Sequence, residues 1–400
     1  MVHSKGSAVA SLAPGIRDLP FVTVQQPAER PAWFRAPKTA VQEALPEAYL
    51  GLSDEELQRR TWAARNKLGA RVVILGHHYQ RDEIIRYADF RGDSYALSRE
   101  AAAQPNAEYI VFCGVHFMAE TADILSGDHQ KVILPNLTAG CSMADMADIL
   151  DVQECWDTLT DLGVTGIVPV TYMNSAANLK AFCGMHGGIV CTSSNAKAVY
   201  DWSFAHGDRI LFFPDQYLGR NTAYAKGLTN ADMALWDPRE LDGGNVAEAY
   251  ERARVILWRG WCSVHKRFTL EQVHQARANH PHVKVLVHPE CTEDVVAAAD
   301  LNGSTEFIVR QVGNAAPGTV WAIGTEINLV HRLADEHPEQ TIFCLDPVVC
   351  PCSTMYRIHP AYLLWTLENL VEGRVVNQIV VEPEVKRHAR VALERMLAVR

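Results

Sequence analysis

The chain has 400 residues, of which 48% are hydrophobic and 21% are charged, and its net charge is −10. This composition is typical of a globular protein with ample core, and the length favours two to four domains. No cluster of lysines and arginines is present, which argues against a nucleic-acid partner, and no segment is apolar and long enough to span a membrane. Residues 1–30 lack the apolar core of a signal peptide, so we expect a cytoplasmic protein.

We expect an N-terminal extension over residues 1–60, and from residue 71 onward short apolar segments alternate with amphipathic ones. The short segments are almost continuously hydrophobic, as in strands covered on both faces. The segments between them have helical periodicity. This alternation predicts an α/β protein with parallel sheets and right-handed crossovers. The predicted strands are 71–76, 108–114, 131–135, 166–172, 187–192, 209–214, 284–289, 319–324 and 341–346.

Two distant parts of the chain repeat each other at a constant spacing of 211 positions. A fixed spacing indicates repeated structural units. The segment 166–262 has the same layout, with 26 surplus residues that we place in an insertion near 222–255. The repeated pairs are His77 and His288, Gly92 and Gly303, and Cys141 and Cys352. We predict a first domain over 61–150, a second over 151–265, a third over 266–353 and C-terminal helices over 354–400.

Polar side chains follow the predicted strands. In open α/β sheets, ligands bind outside the carboxyl ends of the strands. A single polar residue there is more often a cap or a turn residue, but the repetition in all three units favours a binding site. After the first strand of each unit the residues are His77, Tyr79, Tyr172, Asn174, His288 and Glu290. In the middle unit we take 187–192 as the second strand and 209–214 as the third.

Small hydroxylated residues precede three predicted helices. Free backbone N–H groups at a helix start, together with hydroxyl groups, can bind phosphate or carboxylate. Plain N-capping explains the same residues equally well. The candidate residues are Ser94, Ser193, Ser304 and Thr305. Neither a GxGxxG after a strand nor a GxxxxGK[ST] occurs, so nucleotide-binding folds gain no support.

The chain contains ten cysteines, and Cys141, Cys262 and Cys352 each close one unit. Three thiolates delivered by equivalent positions can bind a cubane iron–sulfur cluster and leave its fourth iron open. A zinc ion with three cysteine ligands is the alternative. We interpret the neighbouring Cys350 as a bystander, because a reducing compartment disfavours disulfides.

The chain resembles the quinolinate synthase family over residues 65–400. The motifs that carry this resemblance are GHHYQ, ADFRGDS, FCGVHFMAETA, TYMNS, CTSSNA, PDQYLGRN, VHPEC, NGST and CPCSTM. The resemblance implies three similar three-layer α/β/α domains with parallel sheets, in a pseudo-threefold arrangement around a central active site. It also implies a [4Fe–4S] cluster held by one cysteine per domain, here Cys141, Cys262 and Cys352.

The family reaction joins iminoaspartate and dihydroxyacetone phosphate into quinolinate, with loss of phosphate and water, in de novo NAD biosynthesis. The resemblance also implies functional coupling to L-aspartate oxidase. It points to Glu290 as the general base, supported by His288, with His77 and Tyr79 in proton transfer. We expect apolar surroundings to raise the pKa of Glu290. The residues expected to hold carboxylates or phosphate are Tyr172, Asn174, Ser94, Ser193, Ser304 and Thr305.

Three other functions fit part of the sequence pattern. Another [4Fe–4S] hydro-lyase would share the cluster and act on hydroxyacids. A cluster-based redox sensor would need a DNA-reading or partner-binding module, and no basic helix-turn-helix segment is visible in the sequence. A zinc hydrolase would replace the cluster with one ion.

Overall fold

Three mainly parallel sheets, each flanked by helices, make up the protein in the computed structural model, which describes residues 41–348 and 351–399. Most of the predicted extension and Cys350 lie outside the described residues. The α/β class with three sheet-bearing domains, predicted from the sequence, is confirmed. The bounds of these domains along the chain stay a prediction. Among the described helices, none is both long and apolar enough to cross a membrane.

The first sheet has the strand order β14-β4-β3-β1-β2, and its strands are parallel except β14, which pairs antiparallel with β4. Its elements are α1 (Asp54–Leu68), β1 (Val72–His77), α2 (Asp82–Ile85), β2 (Phe90–Gly92), α3 (Ser94–Ala102), β3 (Tyr109–Cys113), α4 (His116–Leu125) and β4 (Lys131–Ile133). The C-terminal segment adds α14 (Pro360–Val371), β14 (Gln378–Ile379) and α15 (Pro383–Ala398).

The middle sheet has the order β6-β5-β7-β9-β8 and is entirely parallel. Its elements are α5 (Ile149–Asp161), β5 (Ile167–Tyr172), α6 (Ala177–Met185), β6 (Ile189–Cys191), α7 (Ala196–Phe204), β7 (Arg209–Phe213), α8 (Gln216–Ala225), β8 (Met233–Trp236), α9 (Ala247–Arg252) and β9 (Val255–Trp258).

The third sheet, also parallel, has the order β11-β10-β12-β13. Its elements are α10 (Leu270–Asn279), β10 (Lys284–Val287), α11 (Glu293–Ala298), β11 (Leu301–Asn302), α12 (Thr305–Gly313), β12 (Val320–Gly324), α13 (Ile327–Glu336) and β13 (Thr341–Cys344). Four strands of each sheet therefore follow the same spatial order, which is β2-β1-β3-β4 in the first sheet, β6-β5-β7-β9 in the middle sheet and β11-β10-β12-β13 in the third. In each sheet a short strand lies beside the first strand of the unit.

The nine predicted strands amount to three in each unit, and this number is wrong for the first and third units because the short strands β2 and β11 were missed. β2 and β11 have only three and two residues. Each is aligned by an aspartate just before it: the side chain of Asp89 accepts from the backbone N–H of Ile74 at 2.8 Å, and that of Asp300 accepts from Val285 at 2.7 Å. These bonds fix the register without a long apolar run.

The middle unit was also aligned wrongly with its neighbours. The segment 187–192 contains β6, which is the counterpart of short β2, and β7 is the counterpart of β3. The strand equivalent to β4 is β9, which begins at the end of the predicted insertion. Within that insertion, β8 adds an edge strand to the sheet. The surplus residues thus extend the sheet.

The C-terminal helix α15 packs closely on α6 of the middle unit. A Cβ atom added to Gly184 of α6 would lie 2.0 Å from the backbone oxygen of His388, so only glycine permits this approach of the two backbones. Buried Ala389, Ala392 and Leu393 of α15 belong to the same core.

Replacing Gly184 by alanine should therefore destabilise the protein by roughly 1–3 kcal/mol, because the two helices must move apart. Chemical denaturation monitored by circular dichroism measures this. Gly313→Ala is the matched control: a Cβ there would meet only Nε2 of His337, at 4.0 Å, so the substitution should be neutral or stabilise by up to about 1 kcal/mol. Equal stability of Gly184→Ala and the wild type would contradict the close helix contact.

Candidate active site

The carboxyl ends of strands from all three sheets border one cavity with an empty volume of about 650 Å³, including its mouth. The cavity collects most of the predicted site residues. Those that line it are His77, Tyr79, Ser94, Tyr172, Asn174, Ser193, His288, Glu290, Thr305, Cys141, Cys262 and Cys352. Ser304 does not line it; this side chain caps α12 by accepting from the N–H of Phe307 and borders an adjacent groove.

The three cysteines sit in three copies of one backbone turn. The carbonyl of each cysteine accepts from the N–H four residues later, at 3.1 Å for Cys141 and 3.0 Å for both Cys262 and Cys352. A 3₁₀ turn begins three residues after each cysteine, at Ala144, His265 and Met355. The three cysteines that close the repeated units therefore share the same local backbone geometry.

The thiols are suited to a large inorganic group. Burial raises the pKa of Cys141 to about 12 and that of Cys262 well above its usual value, so these thiols need a positive centre beside them to ionise. A single zinc ion with bonds of about 2.3 Å would hold three sulfurs within about 4 Å of one another. Among the described residues, the group that could hold a single metal ion is Cys262, His265 and Glu290, whose ligand atoms lie within 4.8 Å of one another. One ion there would engage Cys262 alone among the three cysteines, whereas a multi-iron cluster can take a ligand from each of them.

Glu290 is the buried centre of the cavity wall. The hydroxyl of Tyr172 donates to its Oε1 at 2.5 Å, and Nδ1 of His265 donates to its Oε2 at 2.8 Å. Burial alone would raise the pKa of Glu290, but neighbouring His265 and these hydrogen bonds outweigh it and hold the pKa well below its usual range. The expectation of a raised pKa was wrong, because it considered only the apolar surroundings.

His77 and His288 make the same backbone contact. Nδ1 of His77 accepts from the N–H of Tyr79 at 3.1 Å, and Nδ1 of His288 accepts from the N–H of Glu290 at 3.3 Å. Burial, followed by neighbouring histidines, lowers the pKa of both rings to about 3. Each ring is therefore neutral near pH 7 and carries its proton on Nε2, which makes it a hydrogen-bond donor.

Tyr79 connects the first domain to the third. Its hydroxyl oxygen accepts from Thr305 at 2.9 Å and lies 2.8 Å from the hydroxyl of Thr325 and 3.4 Å from Nε2 of His265. Burial raises the pKa of Tyr79 well above its usual value, so the phenol stays protonated. The phenol thus belongs to a chain of polar groups that ends at Glu290.

Sequence reasoning missed His265 as a site residue. Its ring stacks on that of His288, with centroids 4.3 Å apart and an angle of 18° between the planes. The equivalent positions in the other two cysteine turns are Ala144 and Met355, so comparison of the repeats pointed away from it. The available signal was a polar residue in one copy where the other copies are apolar.

Asn174 has a polar atom ready for a ligand. Its Oδ1 is buried and has no hydrogen-bond partner among the described residues. A buried oxygen without a donor is destabilising, and a bound molecule that donates a hydrogen bond would relieve this. This geometry suits a substrate-binding role.

Two buried carboxyl groups lie behind the cavity. Burial raises the pKa of Glu326 to about 7. The pKa of Asp215 is raised well above its usual value by burial and by nearby Glu290, against the lowering effect of backbone N–H groups that include that of Cys262. Glu326 lies two residues after the end of β12 and Asp215 lies two residues after the end of β7, but neither was predicted as a site residue.

Comparison with known proteins identifies the family. A family model described as quinolinate synthetase A protein matches residues 62–398. The chain belongs to this family. The resemblance to quinolinate synthases that the motifs indicated is therefore confirmed.

Curated quinolinate synthases match this chain over most of their length. The protein of Corynebacterium glutamicum is 62% identical over 359 residues, which cover 90% of this chain and 91% of that relative. The protein of Acidobacterium capsulatum is 56% identical, with 88% and 95% covered, and that of Rhodopirellula baltica is 54% identical, with 88% and 93% covered.

The two neutral histidines of this quinolinate synthetase A family member should make it sensitive to acid. Unfolded histidine has a pKa of about 6.5, whereas the folded value of His77 and His288 is about 3. Between these values the unfolded chain binds more protons, so the free energy of unfolding falls as pH drops, by up to about 1.4 kcal/mol per unit and per histidine.

Denaturation of His288→Gln at pH 7 and pH 5 should show a smaller loss of stability between the two conditions than the wild type does. His274→Gln, at an exposed position of α10, is the control and should lose as much stability as the wild type. An identical loss in His288→Gln and the wild type would indicate that the ring of His288 is charged in the folded protein.

Proposed function

We propose that this protein is a quinolinate synthase that condenses iminoaspartate with dihydroxyacetone phosphate, releasing phosphate and water, in cytoplasmic de novo NAD biosynthesis. The observation that carries the proposal is the meeting of three equivalent cysteine turns with the Glu290 centre in one cavity. Family membership supports the reaction class. Functional coupling to L-aspartate oxidase is part of the proposal.

The cofactor that fits the cavity is a [4Fe–4S] cluster held by Cys141, Cys262 and Cys352. The presence of all three cysteines in the cavity wall, in equivalent turns, and the burial that raises the pKa of Cys141 and of Cys262 support this assignment. When bound, such a cluster would supply a Lewis-acidic iron that polarises substrate oxygens.

Glu290 would act as the proton acceptor. Its low pKa keeps it ionised and ready to accept a proton, although it is a weak base while Tyr172 and His265 both donate to it. A substrate oxygen that draws the Tyr172 hydroxyl away would remove one of these bonds and raise the basicity of Glu290. Substrate binding and activation of the base would thus be linked.

His77 and His288 would act as hydrogen-bond donors through Nε2. A neutral imidazole in this tautomer can polarise a carbonyl group or donate a hydrogen bond to a departing hydroxyl group, but Nε2 cannot accept a proton. His288 therefore supports Glu290 by donating to the substrate. Tyr79, held by Thr305 and Thr325, would return protons along the same chain of polar groups.

The remaining residues would hold the charged ends of the substrates. Asn174 would use its amide group, while Ser94, Ser193 and Thr305 offer hydroxyls at or near helix starts. Ser304 would contribute from the groove outside the main cavity. Iminoaspartate carries two carboxylates and the triose carries a phosphate, so a surface rich in neutral donors is suited to both.

Replacing Cys262 by serine should abolish cluster assembly, because a serine hydroxyl is a poor ligand for iron–sulfur clusters. Iron and sulfide analysis of protein purified without air measures this. Cys350→Ser is the matched control and should keep the full cluster. A cluster-free Cys350→Ser protein would mean that Cys350 is the ligand, and stoichiometric zinc in the wild type would contradict the cluster.

The protein with its cluster should form quinolinate from freshly generated iminoaspartate and dihydroxyacetone phosphate. Glu290→Gln should retain the cluster and lose turnover by roughly 10²–10⁴-fold, because its amide cannot accept the proton. Chromatographic detection of quinolinate measures both results. Wild-type protein with a full cluster that forms no quinolinate but dehydrates a hydroxyacid would point to a different hydro-lyase, and near-normal turnover by Glu290→Gln would remove Glu290 from this role.

A further inference from the structure

Asp215 and Glu326 occupy equivalent positions in the middle and third domains, directly before α8 and α13. Both side chains are fully buried. Oδ1 of Asp215 accepts from the N–H groups of Tyr217 at 2.8 Å and Leu218 at 2.9 Å. Oε2 of Glu326 accepts from the N–H of Asn328 at 2.8 Å. Each carboxyl group is thus the N-cap of its helix.

Each carboxyl group also faces the backbone of a cysteine. Oε1 of Glu326 accepts from the N–H of Cys352 at 3.2 Å. Oδ2 of Asp215 is buried and has no hydrogen-bond partner among the described residues, and the backbone N–H of Cys262 is one of the groups near enough to lower the pKa of this carboxyl group against its burial. In the third domain a buried carboxyl group thus joins a helix start to a cysteine turn. In the middle domain the equivalent carboxyl group caps its helix and has a buried oxygen without a partner near the turn of Cys262.

Capping alone does not account for these residues. Serine, threonine or asparagine caps a helix as well as aspartate does, and burying a carboxyl group is unfavourable unless its hydrogen bonds are satisfied. In the first domain the equivalent residue is Val115, and α4 begins without a side-chain cap. There the segment before Cys141 is held by Arg357, which donates to the carbonyl of Thr138 at 2.6 Å.

We propose that Asp215 and Glu326 are positioning residues for the cofactor site: they hold the turns of Cys262 and Cys352 in place before a cluster binds. This inference rests on the proposed function, because it takes both cysteines as ligands. Residues that orient metal ligands typically change metal affinity by roughly 10–100-fold when replaced. A turn fixed by a buried carboxyl group loses less entropy when its thiolate is bound.

Asp215→Asn and Glu326→Gln test this, because an amide keeps one acceptor oxygen for the helix and replaces the other with a donor. Each variant should release iron to a chelator about 10-fold faster than the wild type. In the cluster-free proteins, hydrogen exchange should rise in the peptide around Cys262 for Asp215→Asn and in the peptide around Cys352 for Glu326→Gln. A merely structural role would raise exchange throughout the domain.

Asp148→Ala is the matched control, because it removes the carboxylate N-cap of α5, whose bonds go to Leu150 and Asp151 and not to a cysteine. It should release iron at the wild-type rate. Wild-type iron release and wild-type exchange in both amide variants would overturn the inference, and so would equally fast release from Asp148→Ala. Failure of the wild type to bind any cluster would instead overturn the proposed function, and the exchange measurement would still decide the role of the two carboxyl groups.

Discussion

A buried carboxylate is stable only where the protein supplies hydrogen-bond donors to it. The site depends on the donors that contact Glu290. Its partners come from other parts of the chain: Tyr172 at the end of β5, and His265 in the turn after a cysteine. A carboxylate without these donors would be strongly destabilising in this position. The middle domain and the cysteine turn are therefore held against the third domain by the same bonds that set the charge of the site.

The repeated units supply similar backbones, and the chemistry lies where their side chains differ. The cysteine turn has the same hydrogen bond in all three copies. The residue three positions later is alanine, histidine or methionine, and only the histidine reaches Glu290. The paired histidines His77 and His288 likewise share one backbone contact but are followed, two residues on, by Tyr79 and Glu290. A symmetric frame thus holds an asymmetric set of proton donors and acceptors.

The sequence was sufficient for whatever repeats or is continuously apolar. The long strands, the α/β class and the convergence of residues such as Cys141 and Glu290 on one cavity could be predicted, because each has a local pattern. The short strands β2 and β11 could not, since a paired aspartate rather than an apolar run defines them. The low pKa of Glu290 depends on donors 118 and 25 positions away, which local sequence does not reveal.

The last residues of the chain complete its earlier parts. β14 closes one edge of the first sheet, and α15 covers α6 of the middle domain. On the ribosome these domains emerge before the segment that covers them, so the edge of β4 and the apolar face of α6 stay uncovered until β14 and α15 have been made. A chain that terminates early would carry all three cysteines of the cavity yet expose surfaces prone to aggregation. Synthesis of β14 and α15, and not arrival of the last cysteine of the cavity, thus sets the moment at which these earlier domains can become native.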